Sequence, residues 1–201
     1  MRSHGPRQAL RGGGEFATEG QVTAELRFAA FSTNVYDEAR AGGRGPSAAE
    51  VTASSVLQRA IAPAVLVQQY PKSSIDIYVH VLADDGSAVQ AAVCAASLAL
   101  ANAGIQCCGL VAAASVGLVQ GGSAAAAAEL RVDLTAAEQQ VATASVSVAM
   151  LPALVRVSSV EHAGVMAPKD VSKALALAAQ ATAVMHSVMK QALLEDAAAV
   201  E

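Results

Sequence analysis

The sequence predicts an α+β fold in which helices pack on a mixed β-sheet. Two kinds of segment indicate this: stretches that alternate apolar and polar residues, such as 21–31 and 74–82, and a long run of small apolar residues at 87–103. Alternation with a period of two is typical of half-buried strands, whereas the long run is typical of a buried helix. Strands and helices follow each other without a regular strand–helix–strand repeat, which favours α+β over a purely parallel sheet.

Local signals justify each element in turn. Ser47 followed by Glu50 matches a capping box and predicts a helix start, and Pro63 predicts a kink or break in the last turn of that helix. Gly104 suits the residue after a helix end. Residues 121–129, with five consecutive alanines, fit either a flexible loop or a short helix. The predicted strands are 21–31, 74–82, 110–120, 141–150 and 154–160, and the predicted helices are 47–67, 87–103 and 169–199.

Length and composition suit one domain of residues 21–200 after a flexible lead-in of residues 1–20. Hydrophobic residues make up 54% of the chain but aromatic residues only 3%, so the core must consist of Ala, Val and Leu. The three cysteines, Cys94, Cys107 and Cys108, suit neither a disulfide framework nor a zinc site and indicate a reducing compartment. The longest apolar run, 88–103, is short for a membrane span, so no membrane is expected as a partner.

The basic residues are concentrated near the start of the chain. Six of the 13 lie in the first 46 positions, although the net charge is -4. Four of them, Arg7, Arg11, Arg40 and Arg44, could approach a polyanion, because arginine contacts phosphates. The alternative is that these arginines only solubilise loops or a disordered tail.

Five local motifs carry a resemblance to a known family: Gly5-Pro6-Arg7, Tyr70-Pro71-Lys72-Ser73, the helix segment Ala95–Ile105, Val132-Asp133-Leu134-Thr135 and Met150-Leu151-Pro152. Together they resemble the RNase PH domain of exosome ring subunits, most specifically over residues 70–105. The resemblance implies a ribosomal-protein-S5-domain-2-like α+β fold. It also implies strands ahead of Gly5 that this sequence lacks, so we expect either a truncated gene model or an exposed sheet edge.

The resemblance also implies where an active site would lie. Active members attack RNA with phosphate, and a Gly-Pro-Asp-Arg-Arg-Ser element supplies their phosphate-binding arginines. The matching stretch here is Gly45–Glu50, with Ala48 and Ala49 in place of both arginines and Glu50 as an added negative charge. Asp133 stands at the family's first aspartate, and Gln139 replaces the second. A turn role for Asp133 is the alternative to catalysis.

The resemblance and these substitutions together predict a non-catalytic structural subunit of the exosome core ring. Among such subunits, the resemblance is nearest to the type associated with mRNA transport. The resemblance implies other RNase PH-like subunits, cap proteins and RNA in the central channel as partners, in the nucleus, nucleolus and cytoplasm. It also makes Arg7, Arg11, Arg40 and Arg44 candidate RNA-binding residues. No catalytic residue, cofactor or metal is expected, and the four histidines lack metal-ligand spacing. The alternatives are a phosphorolytic 3′-to-5′ exoribonuclease that acts with a partner subunit, and an unrelated alanine-rich interaction module.

Overall fold

The computed structural model describes residues 2–8, 20–32, 45–119 and 129–200. Seven strands and four α-helices lie in these ranges, with short 3-10 turns at Ala62–Ala64, Val67–Gln69 and Pro152–Leu154. The strands are β1 Arg2–Gln8, β2 Gln21–Phe28, β3 Ser73–Val81, β4 Ala112–Val119, β5 Glu129–Val132, β6 Ala142–Leu151 and β7 Arg156–Gly164. The helices are α1 Ala48–Ile61, α2 Ala88–Asn102, α3 Ala136–Val141 and α4 Pro168–Val200.

The strands form two sheets. The first is mixed, in the order β1-β3-β2, with β2 parallel and β1 antiparallel to β3. The second is antiparallel, in the order β5-β4-β6-β7. The α+β class and the mixed sheet are therefore confirmed, but the strands that the sequence predicts for one sheet are divided between two.

Helices α1 and α2 lie between the sheets: α1 contacts β2 and β7, and α2 contacts β3 and β4. Ala92 and Ala96 on α2 are buried, and their small side chains allow this close approach. Helix α4 covers the other face of the second sheet, where Ala174 and Ala178 pack on Val146. The layers are thus sheet, helix pair, sheet and helix. Within the described residues, no helix is long and apolar enough to cross a bilayer.

Four elements differ from the sequence predictions. Residues 2–8, placed in the flexible lead-in, form strand β1 on β3, with a register shift between His4 and Arg7. Apolar and polar residues do not alternate in this stretch. It is a strand because it pairs with β3, and not because of an intrinsic strand propensity. Strand β5 and the short helix α3 were also not predicted. The predicted helix 47–67 ends at Ile61, because Pro63 belongs to a 3-10 turn.

Val155, between β6 and β7, is held at φ 51°, a backbone region that disfavours β-branched residues. We expect Val155→Asn to raise the free energy of unfolding by about 1 kcal/mol, because Asn tolerates this conformation. Val165→Asn is the control, since both valines are 83% exposed but only Val155 has a positive φ. Urea unfolding at one protein concentration measures both variants, and equal changes would contradict the prediction.

Candidate functional site

Strands β2 and β3 are parallel and end at the same edge of the first sheet. The two segments that follow these strands are hydrogen-bonded to each other. Ala29 N donates to Val81 O at 2.9 Å, and Asp84 N donates to Ser32 O at 2.7 Å. Helix α1 follows β2 and helix α2 follows β3, so both helices begin near this edge. Ligands commonly bind at such strand ends. We call residues 45–50, 84–87 and 132–136 the strand-end site.

The first turn of α1 exposes two methyl groups. Ala48 and Ala49 are exposed, and Ser47 caps the helix by accepting from Glu50 N at 3.2 Å. Neither alanine carries a donor, so this turn offers a phosphate no side-chain hydrogen bond from these two positions.

Glu50 is buried and its carboxylate has a structural role. Oε1 accepts from Phe28 N at 3.0 Å and Oε2 accepts from Ser47 N at 2.8 Å, which confirms the predicted capping box. Arg27 lies 3.8 Å from Oε2. From the sequence, Glu50 is expected to repel phosphate, whereas in the structure both of its carboxylate oxygens join α1 to the end of β2.

The pKa of Glu50 reflects two opposing effects. Burial raises it, but hydrogen bonds from the backbone of Ser47 and Phe28, the Ser47 side chain and the Arg27 charge outweigh burial. The net pKa is lower than the ordinary value, so the carboxylate stays ionised. Arg27 is itself paired with Glu25 at 2.6 Å.

The loop before α2 docks on the loop after β5. Asp85 O accepts from Ala136 N at 2.6 Å, and the hydroxyls of Ser87 and Ser115 lie 2.6 Å apart. Ser87 was predicted to open the helix, and it does precede α2. However, Ser87 has φ 52° and makes no capping bond, because its hydroxyl points to Ser115.

Asp133 lies at this junction, with an exposed side chain and φ 57°. Its backbone N donates to Ser115 O at 3.0 Å. It lines a mostly apolar groove of about 390 Å³ with residues of α2, β4 and α4, among them Gln90, Cys94 and Met185. The structure therefore places the predicted aspartate beside the start of α2, in a turn that its own backbone helps to form.

Gln139 lies elsewhere. It is exposed on α3 and lines a different groove, of about 370 Å³, with residues of β6 and β7 such as Ser145 and Gly164. The two positions that the resemblance pairs, Asp133 and Gln139, thus do not share one of these grooves. Among the described residues, no group of three or more His, Cys, Asp or Glu side chains is placed to hold a metal ion.

A charged cluster beside Asp133 was missed in the sequence analysis. Arg131 binds Glu138 at 2.8 Å and Glu129 at 3.1 Å. Glu138 also accepts from Thr135 N at 3.0 Å, which completes a capping box on α3. These bonds raise the pKa of Arg131, and the hydrogen bond to the Glu138 side chain is the largest cause. They lower the pKa of Glu138, and the hydrogen bond from the Thr135 backbone is the largest cause. The Thr-x-x-Glu spacing was the signal that could have revealed it.

One of the four candidate RNA-binding arginines, Arg7, falls among the described residues. The backbone of Arg7 lies in β1 opposite Ser74. Arg11, Arg40 and Arg44 lie outside the described residues. Their role in RNA binding stays a prediction.

Comparison with known proteins identifies the family. Residues 3–106 match the model of the 3′ exoribonuclease family, domain 1. The exosome complex component Rrp41 of Pyrobaculum calidifontis is 34% identical over 190 residues, which are 94% of this chain and 73% of that protein. Rrp41 of Cenarchaeum symbiosum is 32% identical over 148 residues, 74% of this chain and 58% of that protein.

The fold has a solved counterpart. The crystal structure of rice (Oryza sativa) Rrp46 matches with a TM-score of 0.76 and 20% identity, covering 95% of this chain and 81% of that one. At this identity the likeness supports the fold alone. None of the relatives named here is the subunit type associated with mRNA transport, so that assignment stays a prediction. The family match and the Rrp41 similarity together place this chain in the RNase PH family of 3′ exoribonucleases.

Proposed function

We propose that this chain is a non-catalytic structural subunit of an exosome core ring that supports 3′-to-5′ RNA processing and degradation by passing RNA to other subunits. The first turn of α1 carries the proposal. Ala48 and Ala49 stand exposed where the resemblance implies two phosphate-binding arginines. Two methyl groups cannot replace two bidentate guanidinium groups.

The carboxylates support the same conclusion. Asp133 remains at the strand-end site, but Gln139 carries no charge and lines another groove. Arg27, at the end of β2, is engaged by Glu25 and lies near Glu50. Among the described residues, the one guanidinium shown near the start of α1 is thus already paired with carboxylates, which disfavours binding of a phosphate anion there.

The proposed partners are other RNase PH-like subunits and cap proteins, with RNA in the central channel. This follows from the Rrp41 relatives, which are exosome complex components. The nucleus, nucleolus and cytoplasm stay the predicted location. A phosphorolytic exoribonuclease is the second candidate, favoured by the family to which the chain belongs and by the position of Asp133 beside α2.

One assembly experiment separates the two candidates. We expect the tagged chain to copurify RNase PH-like subunits from its own cells. We then expect an assembly reconstituted with Asp133→Ala to release nucleoside diphosphates from single-stranded RNA, in the presence of phosphate, at the rate of the wild-type assembly. Loss of a carboxylate that acts in proton transfer would lower the rate about a hundredfold or more.

Two results would contradict the proposal. The first is copurification without any RNase PH-like subunit, which removes the structural role. The second is a strong loss of phosphate-dependent release in the Asp133→Ala assembly, which favours the enzyme. Gln139→Ala is the matched control, because it removes a polar side chain from the other groove and is expected to leave the rate unchanged.

A further inference from the structure

Two adjacent cysteines, Cys107 and Cys108, lie in the connection between α2 and β4, outside the strand-end site. Neither forms a disulfide. Cys107 is half-buried and packs against the main hydrophobic core, whereas Cys108 is exposed. The two thiols are therefore neighbours in the chain that differ in their access to solvent.

Backbone hydrogen bonds join the cysteine pair to another part of the fold. Cys108 N donates to Ala64 O at 2.7 Å, and Leu66 N donates to Gln106 O at 3.1 Å. These bonds connect the segment between α2 and β4 to the segment between α1 and β3. A change in the backbone at Cys108 is thus transmitted directly to the 3-10 turn Ala62–Ala64.

The difference in exposure gives the two thiols different chemical roles. A small oxidant in solvent reaches the exposed Cys108 first. Burial, and to a smaller extent the neighbouring Cys108, raise the pKa of Cys107, so its sulfur is protonated at neutral pH and is the poorer nucleophile. An accessible cysteine beside a second cysteine that can react with its oxidised form is typical of redox-sensing proteins.

The third cysteine is in a different environment. Cys94 is 7% exposed, and its sulfur is hydrogen-bonded to both the N–H and the carbonyl of Ala113. Burial raises the pKa of this thiol. Buried thiols of this kind are inert towards oxidants in solvent, so Cys94 serves as an internal reference for the pair.

We propose that Cys107 and Cys108 form a reversible disulfide with each other when the protein meets hydrogen peroxide. The Cys108 sulfur attacks one peroxide oxygen and the O–O bond breaks, which gives a sulfenic acid on Cys108 and one water. The Cys107 sulfur then attacks the Cys108 sulfur, loses its proton and displaces a second water. Two thiols are thereby oxidised to one disulfide, and one peroxide is reduced to two waters.

This disulfide is expected to be strained and easily reduced. Cα atoms of adjacent residues are about 3.8 Å apart, whereas disulfides usually join Cα atoms about 4.4–6.8 Å apart. Closing the short ring therefore distorts the peptide bond between the two cysteines and moves Cys108 N away from Ala64 O. Strained, exposed disulfides are the labile and regulatory ones, so the pair acts as a reversible switch of this hydrogen bond. The inference goes beyond the proposed function and does not depend on whether the chain is catalytic.

Peroxide treatment followed by mass spectrometry tests the proposal. The wild-type chain in a small molar excess of hydrogen peroxide is expected to lose the mass of two hydrogen atoms from the peptide that contains Cys107 and Cys108. Excess reduced glutathione is expected to reverse this change. Cys107→Ser is expected to stop at a sulfenic acid on Cys108, which dimedone labels. Cys108→Ser is expected to react about tenfold more slowly or less, because the thiol that remains in the pair is half-buried.

Cys94→Ser is the matched control and is expected to form the same disulfide at the wild-type rate. Hydrogen exchange supplies a structural readout, since loss of the bond to Ala64 O is expected to speed exchange of the Cys108 amide about tenfold or more on oxidation. A wild-type chain that resists peroxide, that stops at an oxidised Cys108 without a disulfide, or that forms a disulfide with Cys94 or with a second chain would overturn the proposal. Unchanged exchange at Cys108 after oxidation would overturn the switch.

Discussion

Replacing Gly86 with alanine is expected to lower the free energy of unfolding by about 3 kcal/mol or more. Gly86 has φ 105°, a region that L side chains rarely adopt. A Cβ atom there would lie 2.2 Å from Leu134 O and 3.1 Å from Ala136 N. Both neighbours are backbone atoms, so no side-chain rotation can relieve the clash.

Two other glycines allow the cost of a positive φ to be separated from the cost of the steric clash. Gly104 has φ 70°, but a Cβ there would meet nothing within 4 Å, so Gly104→Ala is expected to cost only about 1 kcal/mol. Gly45 is also open and its φ is not positive, so Gly45→Ala is expected to be nearly neutral. Urea unfolding of the three variants measures the series. Equal losses of unfolding free energy in Gly86→Ala and Gly104→Ala would show that the clash with Leu134 O does not contribute to the loss.

The Gly86 contact also positions the strand-end site. Gly86 allows the loop before α2 to touch the loop that carries Asp133, and the bond from Ala136 N to Asp85 O holds the two together. Gly86→Ala is therefore expected to separate Asp133 from the start of α2 even where the rest of the domain stays folded. This junction depends on residues about 50 positions apart, so its geometry cannot be derived from local sequence.

The elements in which apolar residues recur at a regular spacing could be predicted from the sequence. The strand predicted at 74–82 is β3, Ser73–Val81, because Ile75, Ile77 and Val79 alternate with polar residues and face the core. Strands β1 and β5 could not be predicted in this way. Arg2–Gln8 has no alternation, and the four residues of β5 are mostly exposed, so both are strands only because a neighbouring strand pairs with them.

The candidate site was predictable in part for the same reason. The capping box of Ser47 and Glu50 is local, so sequence spacing was sufficient to place the first turn of α1 and its two alanines. The bond from Phe28 N to Glu50 spans 22 positions and depends on how α1 packs on β2. The sequence could thus locate Glu50 but could not show that its carboxylate is a structural link.

Glu50→Gln is expected to lower the free energy of unfolding near neutral pH by about 2–3 kcal/mol. The amide keeps one acceptor, but its NH₂ group would face either Phe28 N or Ser47 N, both of which are donors. Glu138→Gln is the matched control, because Glu138 caps α3 in the same way but is more exposed. A smaller loss of unfolding free energy is expected for Glu138→Gln, because water can solvate the groups that lose their bond to the carboxylate.

The pH dependence of unfolding distinguishes the charge of Glu50 from its packing. Its folded-state pKa lies below the ordinary value of 4.5, so the unfolded chain takes up the proton first as the pH falls. The stabilisation by the ionised carboxylate is complete above 4.5 and is lost as the pH falls through the folded-state pKa. The difference in unfolding free energy between wild type and Glu50→Gln is therefore expected to shrink on acidification. A difference that stays constant through this window would assign the loss to packing rather than to the carboxylate charge.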